Sequence, residues 1–197
     1  VAFLPFSVAE TPWTTGTERS IANPPQPRRN VELKARDRDP PRSLAKCEAL
    51  GAEDQGELIQ RDTYFNVATG RLKLREEKGA ASHLISYVRA DELRERLSRY
   101  RIVEIDDAEG LKAALSESLG TRVVVSKRRR LFLWGDVRIH LDRVEGLGDF
   151  LEFEAVAPER SDLADERQKV RNLQEIFAIR SEDLIDRSYS DLMLERG

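Results

Sequence analysis

The feature that most constrains the fold of this 197-residue chain is an alternation of apolar and charged residues that returns in segment after segment. In RRNVELKARD, residues 28–37, Val31, Leu33 and Ala35 fall on one side, and Asn30, Glu32, Lys34 and Arg36 on the other. A period of two belongs to a β-strand, whose side chains face the two sides of a sheet in turn. The polar side of this strand carries both an acid and strong bases, the mixture that a metal-bound anion requires.

The same spacing predicts a hairpin from residues 60–67 and 71–77 around Ala68, Thr69 and Gly70, then strands over 83–89, 121–134, 137–144 and 149–156. Gly135 with Asp136, and Gly146 with Gly148, fit the last two turns. Alternate residues of these strands put Arg71, Lys73, Arg75 and Glu77 on one face. Lys127 with Arg129, then Arg138 with His140 and Asp142, then Glu152 with Glu154 follow in the same way. Helical spacing appears at Leu44, Cys47 and Leu50 before Gly51, and over 106–119 before Gly120. A further helix opens at Ser161 and carries Leu163, Val170, Leu173, Ile176 and Phe177, and a last one spans 184–194. Four prolines from Pro12 to Pro27 predict a flexible arm over residues 1–27, ahead of one domain over 28–197. Antiparallel strands with one charged face form either an open sheet with that face wet or a barrel closed around a polar lumen.

Composition narrows the chemistry. Charged residues make up 35% of the chain and apolar ones 40%, an excess of charge that needs a very polar exterior or a polar interior. A net charge of −3 argues against a general nucleic-acid binder, although Lys127, Arg128, Arg129 and Arg130 adjoin one another. The apolar patch near the amino terminus is too short for a membrane span and lacks the pattern of a secretory signal, so the expectation is a cytoplasmic protein. The single cysteine, Cys47, excludes an internal disulfide, and two histidines exclude a histidine-rich metal centre. A metal would therefore be held mainly by carboxylates, which favours Mg2+ or Mn2+.

If the charged faces converge, guanidinium and ammonium groups from separate strands suit a triphosphate. Glu32, Glu152 and Glu154 then read as metal ligands, and Asp142 as a fourth carboxylate or as a group orienting an arginine. Each segment taken alone reads equally well as a solvated sheet face with weak cross-strand pairs. His140 reads as a structurally hydrogen-bonded residue, His83 as a surface or edge residue, and Tyr64 and Tyr87 as packing residues.

The motifs together resemble the CYTH family, the triphosphate tunnel metalloenzymes, and especially its class IV adenylate cyclase-like branch. The resemblance rests on NVELK at 30–34, DTYF at 62–65, GRLKLR at 70–75, VVVSKRRR at 123–130, VRIHLDRVEGLGDFLEFE at 137–154 and SYSDLM at 188–193. It implies an all-β core in an α+β fold: a closed eight-stranded antiparallel β-barrel forming a tunnel, with helices outside. It also implies Glu32, Asp142, Glu152 and Glu154 at the metal. Lys34, Arg36, Lys73, Arg75, Arg89, Lys127, Arg129 and Arg138 would bind phosphate, and Glu32, Lys34, Arg138 and Asp142 would be catalytic. The implied substrate is ATP, thiamine triphosphate or tripolyphosphate, the implied cofactor Mg2+ or Mn2+, and the implied assembly a homodimer, with neither nucleic acid nor membrane as partner. One departure stands in the opening motif, where Asn30 replaces the first of two glutamates and supplies no negative charge.

Overall fold

The alternating segments form eight strands: β1 (Arg28–Arg36), β2 (Glu53–Phe65), β3 (Arg71–Glu77), β4 (Ser82–Arg89), β5 (Arg96–Ile105), β6 (Thr121–Trp134), β7 (Val137–Val144) and β8 (Gly148–Ala157). The structure, a computed structural model, describes residues 27–89 and 92–196, so the expected arm, Pro27 apart, lies outside the described residues. All strand pairings are antiparallel. The order β1-β5-β4-β3-β2-β6-β7-β8 closes on itself because β1 bonds to β5 along one edge and to β8 along the other. The expected closed eight-stranded barrel is the fold observed, and closure satisfies both edges of the sheet.

Seven of the strands follow the alternation in the sequence. β5 does not, since Arg96, Ser98 and Tyr100 are buried while Arg99 and Arg101 are exposed, leaving polar residues on both faces. β2 also starts at Glu53, well before the expected residue 60, with a register irregularity between Asp54 and Glu57.

The apolar faces turn outward. Val31, Leu33 and Ala35 of β1, Val137 and Ile139 of β7, and Leu151, Phe153 and Ala155 of β8 are buried with Cys47 of α1 (Pro40–Ala49). Val170 and Leu173 of α3 (Ala164–Ile176), with Phe177 just after it, complete this cluster. The rings of Phe153 and Phe177 are 5.0 Å apart. Burying each such large side chain contributes about 1.5–3 kcal/mol. The hydrophobic core therefore lies between barrel wall and helices, which leaves the lumen free to be polar. A second helix, α2 (Ala108–Leu119), is capped by Asp107, whose side chain accepts from the Gly110 amide, and it packs over β2 and β3.

The last expected helix, over 184–194, is cut short. Leu184 instead bridges to Ala35, and the Ile185 amide donates to the Lys34 carbonyl at 2.9 Å. The helix α4 (Tyr189–Leu194) begins only after Ser188, whose side chain accepts from the Asp191 amide while Asp191 accepts from the Ser188 amide. This reciprocal cap fixes the start of the helix. Among the described residues no helix is long and apolar enough to cross a membrane.

Candidate active site in the barrel lumen

Residues directly opposite on antiparallel strands point to the same face, so the register turns the alternation into rows across the barrel. One row is Glu32, Glu154 and Arg138; the next is Lys34, Glu152 and His140. Elsewhere Arg75 stands opposite Asp62, Lys73 opposite Tyr64, Lys127 opposite Gln60 and Arg129 opposite Asp142. The rows enclose a cavity of about 270 Å³. Its lining carries the cations Lys34, Lys73, Arg75, Arg89, Lys127, Arg129 and Arg138 against the carboxylates Glu32, Glu152 and Glu154. An excess of positive charge in a confined space stabilises a bound anion and is costly without one.

Buried carboxylates hold the cations in place. Arg75 donates to Asp62 from Nε at 2.7 Å and Nη2 at 2.8 Å, and the same carboxylate takes Lys73 Nζ at 2.8 Å and Lys127 Nζ at 3.3 Å. Burial alone would raise the Asp62 carboxyl, but Arg75, Lys127 and Lys73 outweigh it and hold it well below the ordinary carboxylate range. Burial, and then the Arg75 guanidinium, push Lys73 down to about 8. Burial likewise lowers Lys127 well below an ordinary lysine. Asp142 is the second hub. It accepts from Arg129 Nε at 2.6 Å and Nη2 at 2.5 Å, and from the Tyr189 hydroxyl at 2.8 Å. Glu32 accepts from Arg89 and, at 3.0 Å, from Arg96 Nε. Lys34 Nζ lies 3.3 Å from Glu152 and 3.7 Å above the centre of the Tyr189 ring.

His140, Glu152 and Glu154 bring donor atoms within 4.8 Å of one another. Arg129 engages Oε2 of Glu152 and Arg138 engages Oε2 of Glu154, each at 2.7 Å. His140 Nδ1 is buried without a hydrogen-bond partner, 3.6 Å from Glu152 and 3.8 Å from Glu154. A buried polar atom left unpaired is costly unless a ligand satisfies it. Two carboxylates and an imidazole are a donor set that a divalent cation accepts, so these residues fit a metal. The reading of His140 as a structurally hydrogen-bonded residue fails at this nitrogen.

Of the residues expected from the sequence, Glu32, Lys34, Lys73, Arg75, Arg89, Lys127, Arg129, Arg138, Glu152 and Glu154 all line the one cavity. Asp142 orients Arg129 and is not part of the three-donor group; nor is Glu32, which sits between Arg89 and Arg96. Arg36 is placed elsewhere, donating to the Leu147 carbonyl at 3.2 Å and lying 5.0 Å from the centre of the Phe150 ring. Tyr64 and Tyr87 do more than pack, for both line the cavity near Lys73. Sequence reading gave no role to Asp62, Arg96 or Tyr189. Asp62 shares its strand face with Tyr64 in DTYF, a signal that was readable. Arg96 lies on the strand without an apolar face, and Tyr189 reaches the lumen only because α4 lies against the barrel.

The sequence model of the CYTH domain matches residues 28–189. The chain is 34% identical over 96 residues to the adenylate cyclase CyaB of Aeromonas hydrophila, a match covering 48% of this chain and only 50% of that relative. It is 26% identical over 174 residues to a candidate adenylate cyclase of Methanocaldococcus jannaschii, covering 82% of this chain and 97% of that protein. A solved structure from Pyrococcus horikoshii is similar with a TM-score of 0.75 and 25% identity, over 83% of this chain and 98% of its own. Because the family match runs from the first strand of the barrel to the first residue of α4, with the charged rows inside it, the chain belongs to the CYTH-domain family.

Proposed function

We propose that the lumen binds a triphosphate with Mg2+ or Mn2+, and that the protein is a class IV adenylate cyclase-like enzyme converting ATP to cyclic AMP and pyrophosphate. The observation that carries this reading is the lumen cavity whose lining brings seven cations together with a His140–Glu152–Glu154 donor group. Both named relatives, described as an adenylate cyclase and a candidate one, support the nucleotide assignment.

In this reading Lys34, Lys73, Arg75, Arg89, Lys127, Arg129 and Arg138 hold the phosphate oxygens, and Asp62 and Asp142 fix the geometry of the cations they bind. Glu152, Glu154 and His140, with Glu32 nearby, would hold the metal, which when bound offsets phosphate charge and reconciles the carboxylates with an anion. The ribose hydroxyl oxygen bonds to the α phosphorus as its proton passes to solvent water, the bond from that phosphorus to the bridging oxygen breaks, and pyrophosphate leaves with the bonding pair. The protein's work is positioning and charge stabilisation, with no protein nucleophile.

Hydrolysis of inorganic or thiamine triphosphate is the second reading. It is favoured by the cationic lining, which recognises phosphate oxygens whatever the other end of the substrate carries. Incubating the protein with ATP, thiamine triphosphate or tripolyphosphate and either metal, with chromatographic separation of products, decides between them. Cyclic AMP from ATP, lost in Glu154→Gln, is the expected outcome. Phosphate release from any substrate without cyclic AMP moves the assignment to the hydrolase. Tight binding without turnover would make the protein a triphosphate-sensing module, consistent with the charge missing at Asn30.

A further inference from the structure

We propose that the imidazole of His140 is a direct metal ligand and makes the site selective for Mn2+ over Mg2+. The inference rests on the metal-dependent reading above and specifies which ion the site prefers. His140 is 3% exposed, and its Nδ1 has no hydrogen-bond partner, although the strand register aims the ring into the row holding Glu152. The separations of 3.6 Å to Glu152 Oε2 and 3.8 Å to Glu154 Oε1 are ones that a single ion bonded at about 2 Å to each atom can bridge. The other oxygen of Glu154 is taken by Arg138, which leaves Oε1 turned toward the imidazole.

The ligand chemistry sets the preference. Both Mg2+ and Mn2+ favour oxygen donors, but Mg2+ gains little from an imidazole, whereas Mn2+, the weakest binder of the first-row series, is still a transition ion that accepts one nitrogen among oxygens. The same cavity is short of anionic oxygen, because Asn30 presents a neutral carbonyl Oδ1 that is buried and unpaired. Replacing carboxylate with neutral nitrogen and neutral oxygen weakens the electrostatic hold on both ions, and only Mn2+ recovers part of the loss through nitrogen.

Electron paramagnetic resonance tests this without any turnover. Titration of the full chain with Mn2+ gives its affinity from the free-ion signal, and competition with Mg2+ gives the second affinity. Pulsed measurement of the bound Mn2+ reads a directly coordinated nitrogen. The expected results are a nitrogen coupling in the unmodified protein that persists in His83→Gln and disappears in His140→Gln. The latter change should weaken Mn2+ by at least about tenfold, with Mg2+ altered less than about threefold. Bound Mn2+ without nitrogen coupling in the unmodified protein overturns the proposal, whether or not the variant folds. So does an equal loss of both ions in a folded His140→Gln. If Mn2+ binds equally well to Glu154→Gln, the metal assignment of the proposed function fails instead.

Discussion

At the scale of single residues, the site is a set of buried charges held by two carboxylate hubs. Lys73, lowered to about 8 by burial and then by Arg75, is half neutral near that pH. A neutral amine cannot pair with phosphate, so tripolyphosphate affinity should fall as pH rises through about 8. Titration calorimetry across that range checks it, and Lys73→Arg should remove the step because guanidinium stays charged. Asp62 has its folded carboxyl held well below its unfolded value. Its ionisation therefore contributes stability that is complete above the unfolded value of about 4 and is lost as pH falls toward the folded one. Asp62→Asn leaves three buried cations without their anion and should cost about 3–5 kcal/mol at neutral pH. Urea denaturation should show that deficit shrinking below about pH 4. Strand parity made the inward direction of Asp62 legible. Its service to Arg75, Lys73 and Lys127 at once was not, since Lys127 lies 65 residues away on another strand.

At the scale of elements, the turn between β2 and β3 is a tight constraint set by backbone. Gly70 has φ +67, and a Cβ there would meet the Tyr87 carbonyl oxygen at 2.8 Å and Val88 Cγ2 at 2.9 Å. Gly79, at φ +79, has open space around it. Both alanine substitutions pay the left-handed backbone penalty of about 1–2 kcal/mol, and only Gly70→Ala adds a clash with β4. Chemical denaturation should therefore rank Gly70→Ala clearly below Gly79→Ala, and equal costs would contradict this packing. Two of the elements that sequence reading missed or misjudged have separate causes. β5 is polar on both faces because one face serves the lumen and the other is solvated, which erases the alternation. The segment before α4 satisfies its backbone by bonding to β1, a contact that no helical periodicity can report.

At the scale of the whole molecule, a chain with net charge −3 concentrates cations in its lumen and places its hydrophobic core outside the barrel wall. A bound triphosphate should relieve the repulsion among those cations. Tripolyphosphate with Mn2+ at a hundred times its Kd is expected to stabilise the fold by about 2.7 kcal/mol. Thermal melts at fixed protein concentration read this as a rise in Tm, and an unchanged Tm would count against binding in the lumen. Which side chains of seven strands share a face was readable from residue order, because a period of two is a property of the extended backbone alone. So was the acid-and-base character of that face, and the resemblance carried by the motifs pointed to a barrel. The folded barrel was needed to show that β1 pairs with both β5 and β8, which brings Glu32, Glu154 and Arg138 into one row. It alone left His140 Nδ1 unpaired between two carboxylates. The β1 pairings depend on hydrogen bonds to strands far along the chain, of which a local pattern holds no record, whereas His140 faces Glu152 across the β7–β8 hairpin and only packing set how its ring lies there.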